Sequence, residues 1–136
     1  MLASYDNIVR FSRPTDIKIG KFETLLLPWV CQDNYEDTVA AINNTKSKVA
    51  FGHLEMNGFS LFPGHVMTTA SSGLDVSIFD KLDVVFSGHY HTRSNDGKLF
   101  YLGNPYQMYW NDCDDKRGFH IFDTITYDLE FIGNPY

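Results

Sequence analysis

The stretch Asp83-Val84-Val85-Phe86-Ser87-Gly88-His89-Tyr90-His91 decides how this chain is read. Its first half is a β-branched, apolar run of the length of a buried strand. Its second half is a glycine turn carrying two imidazoles one residue apart. A continuous apolar strand, as opposed to an alternating one, predicts parallel pairing in a sheet covered on both faces. In open α/β sheets, ligands gather outside the carboxyl ends of such strands. A glycine there lets the backbone turn, so that the next side chain enters the crevice. Upstream, Val49-Ala50-Phe51-Gly52-His53 repeats the device. With these two strands as close neighbours, His53, His89 and His91 meet. Neutral imidazole suits zinc, manganese and iron, which makes the three histidines candidate metal ligands.

Working outward, Phe22 to Val30 reads as a strand whose regular pairing ends at Pro28. Asp33 or Asn34 then caps a helix with Glu36 and Asp37 in its first turn, Tyr35, Val39 and Ile42 on one face, and Asn43-Asn44 as a stop. Leu74, Ile78 and Leu82 mark a second short amphipathic helix leading into Asp83–Phe86. Beyond His91 the pattern becomes alternating. Lys98 to Leu102, Gly118 to Phe122 and Asp128 to Ile132 read as antiparallel strands, with Thr124-Ile125-Thr126 joining the last two. No linker interrupts the chain. The expectation is one mixed α/β domain over residues 1–136, with parallel strand-helix units followed by antiparallel strands.

The 136 residues are 43% hydrophobic and 15% aromatic, enough for a buried core. No apolar run approaches the roughly 18 residues of a membrane-spanning helix. Met1-Leu2-Ala3-Ser4-Tyr5-Asp6 has neither the basic nor the apolar region of a secretion signal, so the expected location is the cytoplasm, with no membrane contact. Cys31 and Cys113 stand in unrelated contexts and read as free thiols. A net charge of -6 without a basic stripe excludes nucleic-acid binding that runs on Lys and Arg alone. A nucleic-acid substrate here requires metal ions or another chain to supply positive field.

Other polar residues carry blander readings. His65 follows no clear strand, and His120 alternates with Phe119 and Ile121 as a strand-face residue. Glu55, two residues past His53, could lend a carboxylate but reads as a solvated loop residue. Asn111-Asp112-Cys113-Asp114-Asp115-Lys116-Arg117 does not match a calcium-binding loop and reads as a solvated turn. Tyr106, Tyr109 and Trp110 read as core or interface aromatics, with base stacking as the alternative. Gly-Asn-Pro-Tyr occurs at 103–106 and at 133–136 and reads as two coincident turns.

Taken together, Ala50-Phe51-Gly52-His53-Leu54-Glu55, Phe86-Ser87-Gly88-His89-Tyr90-His91 and Tyr101-Leu102-Gly103-Asn104-Pro105 resemble the later part of a calcineurin-like metallophosphoesterase domain. More narrowly, the chain is similar to the nuclease subunits of phage recombination endonucleases, relatives of the SbcD-type double-strand-break nucleases, through nearly all of its length. The resemblance implies part of an α/β metallophosphoesterase sandwich holding two divalent metal ions, usually manganese, that hydrolyse phosphodiester bonds at DNA ends in recombination or repair. It assigns His53 and His89 to one ion and His91 to the other. It also implies DNA, an ATPase subunit of the SbcC type and a second copy of the chain as partners, in the cytoplasm of a host cell.

The family's earlier motifs, Asp-x-His, Gly-Asp and Gly-Asn-His-Asp, are not found here. Three neutral imidazoles lack the carboxylates that keep two dications together. The chain is therefore expected to be the C-terminal portion of a nuclease domain, exonuclease or endonuclease, weakly active alone. Two other readings are an interaction or assembly module with relic ligands and a metallophosphoesterase with a non-DNA substrate.

Overall fold

A computed structural model of the chain describes residues 5–62, 65–66 and 74–135. Its centre is a six-stranded sheet. The strands are β1 (Thr15–Ile19), β2 (Phe22–Leu26), β3 (Val49–Gly52), β6 (Val84–Ser87), β8 (Leu99–Tyr101) and β7 (Ser94–Asn95), in that spatial order. The two apolar strands of the sequence are neighbours: β3 pairs with β6 in parallel, from Val49 opposite Val84 to Gly52 opposite Ser87. Both Gly-His turns therefore leave the sheet at the same level.

The register sorts the core into two layers. Ala50, Val85 and Leu99 stand side by side on one face and join a cluster with Ile42 and Leu25. The alternate row, Phe51, Phe86 and Phe100, occupies the other face, with ring centroids 5.1 and 5.9 Å apart. Burial of both faces is what continuous apolar strands require. Helix α1 (Tyr35–Asn44) covers the first face. The second is covered by a hairpin of β9 (Gly118–Phe122) and β10 (Leu129–Gly133), whose Phe122 ring packs 4.8 Å from Phe86. The Asp123 carboxylate shapes that hairpin's turn, accepting from the Ile125 and Thr126 amides at 2.7 and 3.0 Å. A further small pair, β4 (Ser60–Phe62) with β5 (His65–Val66), lies apart from the main sheet.

The expected α/β class holds, with several elements corrected. The sheet does not begin in parallel. β1, unforeseen from the sequence, pairs antiparallel with β2 and is held by Asp16, which accepts from Thr45 Oγ1 at 2.5 Å and Ser47 Oγ at 2.7 Å. β2 stops at Leu26, and pairing persists only to Leu27, whose amide donates to Phe51 O at 2.8 Å before Pro28 interrupts. β8 was expected to be antiparallel, yet it pairs in parallel with β6 and antiparallel only with the two-residue β7.

In α1 the buried stripe is Thr38 and Ile42, while Tyr35 stays exposed. Asn34 does not cap α1 with its side chain. Its carboxamide oxygen accepts from the Cys31 amide at 2.8 Å, and a 3-10 turn, Gln32–Asn34, leads into the helix. The second helix shrinks to a 3-10 turn, Val76–Phe79, capped by Asp75. The chain must enter β6 five residues later, too short a span to nucleate an α-helix. Cys31 and Cys113 are free and exposed, as expected. Among the described residues, no helix is long and apolar enough to cross a membrane.

Candidate metal centre

The site is built where β3 and β6 end. Gly52 lies opposite Ser87, so the following residues, His53 and Gly88, face each other, and the Gly88 amide extends the ladder by donating to Gly52 O at 3.1 Å. The role of Gly88 is spatial. A Cβ at that position would stand 2.7 Å from His53 Nδ1, so only glycine lets the His53 ring lie against the turn. The unusual backbone angle, expected at the glycine, belongs to the next residue. His89 has φ of 79°, in the left-handed region that a non-glycine residue enters at a cost of order 1 kcal/mol. Strain of this kind persists where surrounding structure over-determines it.

The result is a pair of imidazoles with ring centroids 5.4 Å apart at 80°. Trp29 packs against both, 5.8 Å from His53 and 4.9 Å from His89. Burial pushes the His89 pKa below its ordinary 6.5; the charge of Glu55 opposes this, and His53 and His91 add to it. The ring is therefore neutral at neutral pH, the form that ligates a metal. Glu55 lies in a loop, as expected, but is half-buried there.

Its segment is clamped from below. Ser87 Oγ accepts from the Leu54 amide at 2.9 Å, Tyr101 Oη accepts from the Met56 amide at 3.1 Å and donates to Leu54 O at 3.0 Å, and Tyr90 Oη donates to Met56 O at 3.1 Å. Burial raises the pKa of both phenols, keeping them protonated as donors.

His91 is held differently. Its ring stacks on Tyr109, centroids 5.3 Å apart and planes 11° from parallel, and its Nδ1 lies 3.1 Å from Asp112 Oδ1. Asp112 and Arg117 are buried, their side chains only 3% and 4% exposed. The reading of 111–117 as a solvated turn is thus corrected at Asp112 and Arg117, while Asn111, Cys113, Asp114 and Lys116 are exposed. The 3-10 turn Trp110–Asp112 swings the carboxylate inward, where Oδ2 accepts from the Met108 amide at 2.8 Å, the Tyr109 amide at 3.0 Å and Asn104 Nδ2 at 3.3 Å. Arg117 Nη2 reaches Oδ1 at 3.3 Å and Asp115 at 3.3 Å, while Nη1 donates to His91 O.

Burial alone would raise the Asp112 pKa. The Met108 and Tyr109 amides, with His91 and Arg117, overcome this and bring it down to about 2. Sequence reasoning missed Asp112 because the histidine it meets lies 21 residues away in the chain.

The two Gly-Asn-Pro-Tyr copies differ in conformation, as coincident turns should. Gly103 has φ of 72°, and a Cβ there would meet His91 O at 2.9 Å, so this copy frames the site. Gly133 instead ends β10 opposite Gly118. His120 sits on β9 beside Phe131, a strand-face residue as expected. The His65 side chain lies outside the described residues.

His53 and His89 thus converge, and His91 is close enough to act on His89 electrostatically while its ring is turned to Asp112. Among the described residues, no group of three or more His, Cys, Asp or Glu side chains is arranged to hold a metal ion. Among the described residues, imidazole donors are present and no bridging carboxylate completes the group, which fits one side of such a centre.

The chain is similar to Exonuclease subunit 1 of Enterobacteria phage T4. The two are 34% identical over 134 residues, which is 98% of this chain. The chain spans 38% of the length of that phage subunit. No protein-family profile matches the chain.

Proposed function

We propose that this chain is the later portion of a metal-dependent nuclease subunit, of metallophosphoesterase type, that hydrolyses phosphodiester bonds at DNA ends. The observation that carries the reading is the His53–His89 pair, brought together by the parallel register of β3 and β6 at the carboxyl end of the sheet. Similarity to a phage exonuclease subunit supports it. In this reading His53 and His89 hold one divalent ion, manganese in the active form, and His91 holds the second. Such ions, when bound, supply a hydroxide nucleophile and neutralise charge on the phosphate. The chain's own residues deliver imidazole donors, keep the His53 and His89 rings in place against Trp29, and hold His91 from behind.

In this reading the carboxylates that bridge two dications come from the earlier portion of the domain, joined to this chain or separately encoded. The positive field that this acidic chain lacks comes from the ions and from partner chains, an SbcC-type ATPase subunit and a second copy, in the cytoplasm of a host cell.

Calorimetric titration with manganese tests the reading. The wild-type chain is expected to give a weak binding isotherm that the His53/His89/His91 triple alanine variant loses, and negligible cleavage of linear DNA by itself. Identical isotherms for the two proteins overturn the ligand assignment. Robust manganese-dependent cleavage by the chain alone, abolished by His89→Ala, overturns the half-site.

A further inference from the structure

The reading of His91 as a ligand leaves unexplained why a carboxylate and a guanidinium are buried together behind it. We propose that Asp112 is the positioning residue of His91: it fixes the tautomer with the proton on Nδ1, directs the Nε2 lone pair toward the metal, and is itself locked by Arg117. The inference rests on the reading of His91 as a ligand.

The geometry carries it in three steps. First, an ionised carboxylate can only accept, so the 3.1 Å contact between Asp112 Oδ1 and His91 Nδ1 places the imidazole hydrogen on Nδ1 and leaves Nε2 as the donor atom. Second, the carboxylate cannot swivel. Oδ2 is engaged by two backbone amides and Asn104, and Oδ1 by Arg117 as well as His91. Had Asp112 served only to cap the 108–112 turn, Oδ2 alone would suffice; Oδ1 is aimed elsewhere. Third, His91 is restrained at its other end too. Its carbonyl accepts from the Asn104 amide at 3.1 Å and from Arg117 Nη1, and Tyr109 sets the plane of the ring.

A burial this costly is recovered only through full satisfaction of the carboxylate, and a carboxylate behind a ligating histidine sets that ligand's orientation and basicity. Arg117 immediately precedes β9, so the hairpin that covers the phenylalanine face also sets the back of the site.

The test uses the whole chain. Long-range nitrogen–proton NMR on the metal-free protein at neutral pH reads the tautomer of each histidine. His91 is expected in the Nδ1–H form, and an Nε2–H form in the wild type overturns the proposal without any variant. In Asp112→Asn the Met108 and Tyr109 amides retain the carboxamide oxygen, so its NH2 group faces His91. The expected results are inversion of the His91 tautomer, an unchanged His53 spectrum, and manganese affinity by calorimetry lower by about 10- to 100-fold.

His91→Ala and the His91→Ala/Asp112→Asn double variant should bind alike, because Asp112 acts only through His91. Manganese affinity within twofold of wild type and an unchanged tautomer in Asp112→Asn overturn the proposal. Tautomer inversion in a chain whose wild type binds no manganese supports Asp112 as the positioning residue and rejects the metal reading instead.

Discussion

The two halves of the candidate site are secured by different physics. His53 and His89 sit at the ends of adjacent parallel strands, wedged against Trp29 and a glycine, in places that sheet register dictates. His91 lies two residues further along and owes its position to a buried polar cluster drawn from the 104–117 segment. Packing tolerates adjustment, since a displaced ring finds another rotamer. A buried ionic cluster does not, because removing one member strands the others in low dielectric. The strand-end half is therefore expected to be forgiving in stability, and the loop half sensitive.

The sharpest way to break this contrast is Arg117→Ala. It leaves Asp112 buried without its cation and should destabilise the fold by about 3–5 kcal/mol, read as a lower urea midpoint. A change under 1 kcal/mol would mean the cluster is not acting as a unit.

Tyr101→Phe strikes the strand-end half through one of its buried polar supports. It strands the Met56 amide at a cost of about 1–3 kcal/mol. A cost above that of Arg117→Ala would invert the comparison.

Acid sharpens it further. The Asp112 pKa is depressed below the ordinary 3.8, to about 2. A depressed carboxylate contributes stability that is fully present above its unfolded value and is lost as pH falls through its folded value. The gap in thermal midpoint between wild type and Asp112→Asn should accordingly be constant above pH 4 and close between pH 4 and about 2. A gap independent of pH would assign the difference to packing.

Gly88→Ala has the smallest expected effect on stability, below about 1 kcal/mol, because the exposed His53 ring can swing away. The heat of manganese binding should nonetheless fall to that of His53→Ala. Retained binding would show that the His53 ring need not lie against the turn.

Legibility in the sequence followed the same divide. The Gly-His ends of β3 and β6 were readable because each follows a continuous apolar run of three residues and the device occurs twice; that the two strands are neighbours is what the fold adds. The β9–β10 hairpin was readable from alternation and its turn residues. Strand β1 was not, since Thr15-Asp16-Ile17-Lys18-Ile19 is a half-polar edge strand whose anchor, Asp16, depends on Thr45 and Ser47. The orientation of β8 is set by its neighbour, and three residues of alternation carry no information about which neighbour that is. Asp112 was hidden most deeply. In the chain it stands among Asp114, Asp115, Lys116 and Arg117, a composition that reads as solvated. Only the fold brings it to a histidine 21 residues away.

The left-handed backbone at His89 has a consequence for how this sequence can vary. The position is one where glycine would fit the chain better than any other residue, relieving about 1 kcal/mol, yet glycine carries no imidazole. His89→Gly should raise the urea midpoint while abolishing manganese binding, and a lowered midpoint would show that His89 packing outweighs its backbone strain. Here the residue that best serves folding and the residue that serves the site are different. Drift under relaxed selection for activity would be expected to erase this histidine early, in favour of a sturdier and inert protein.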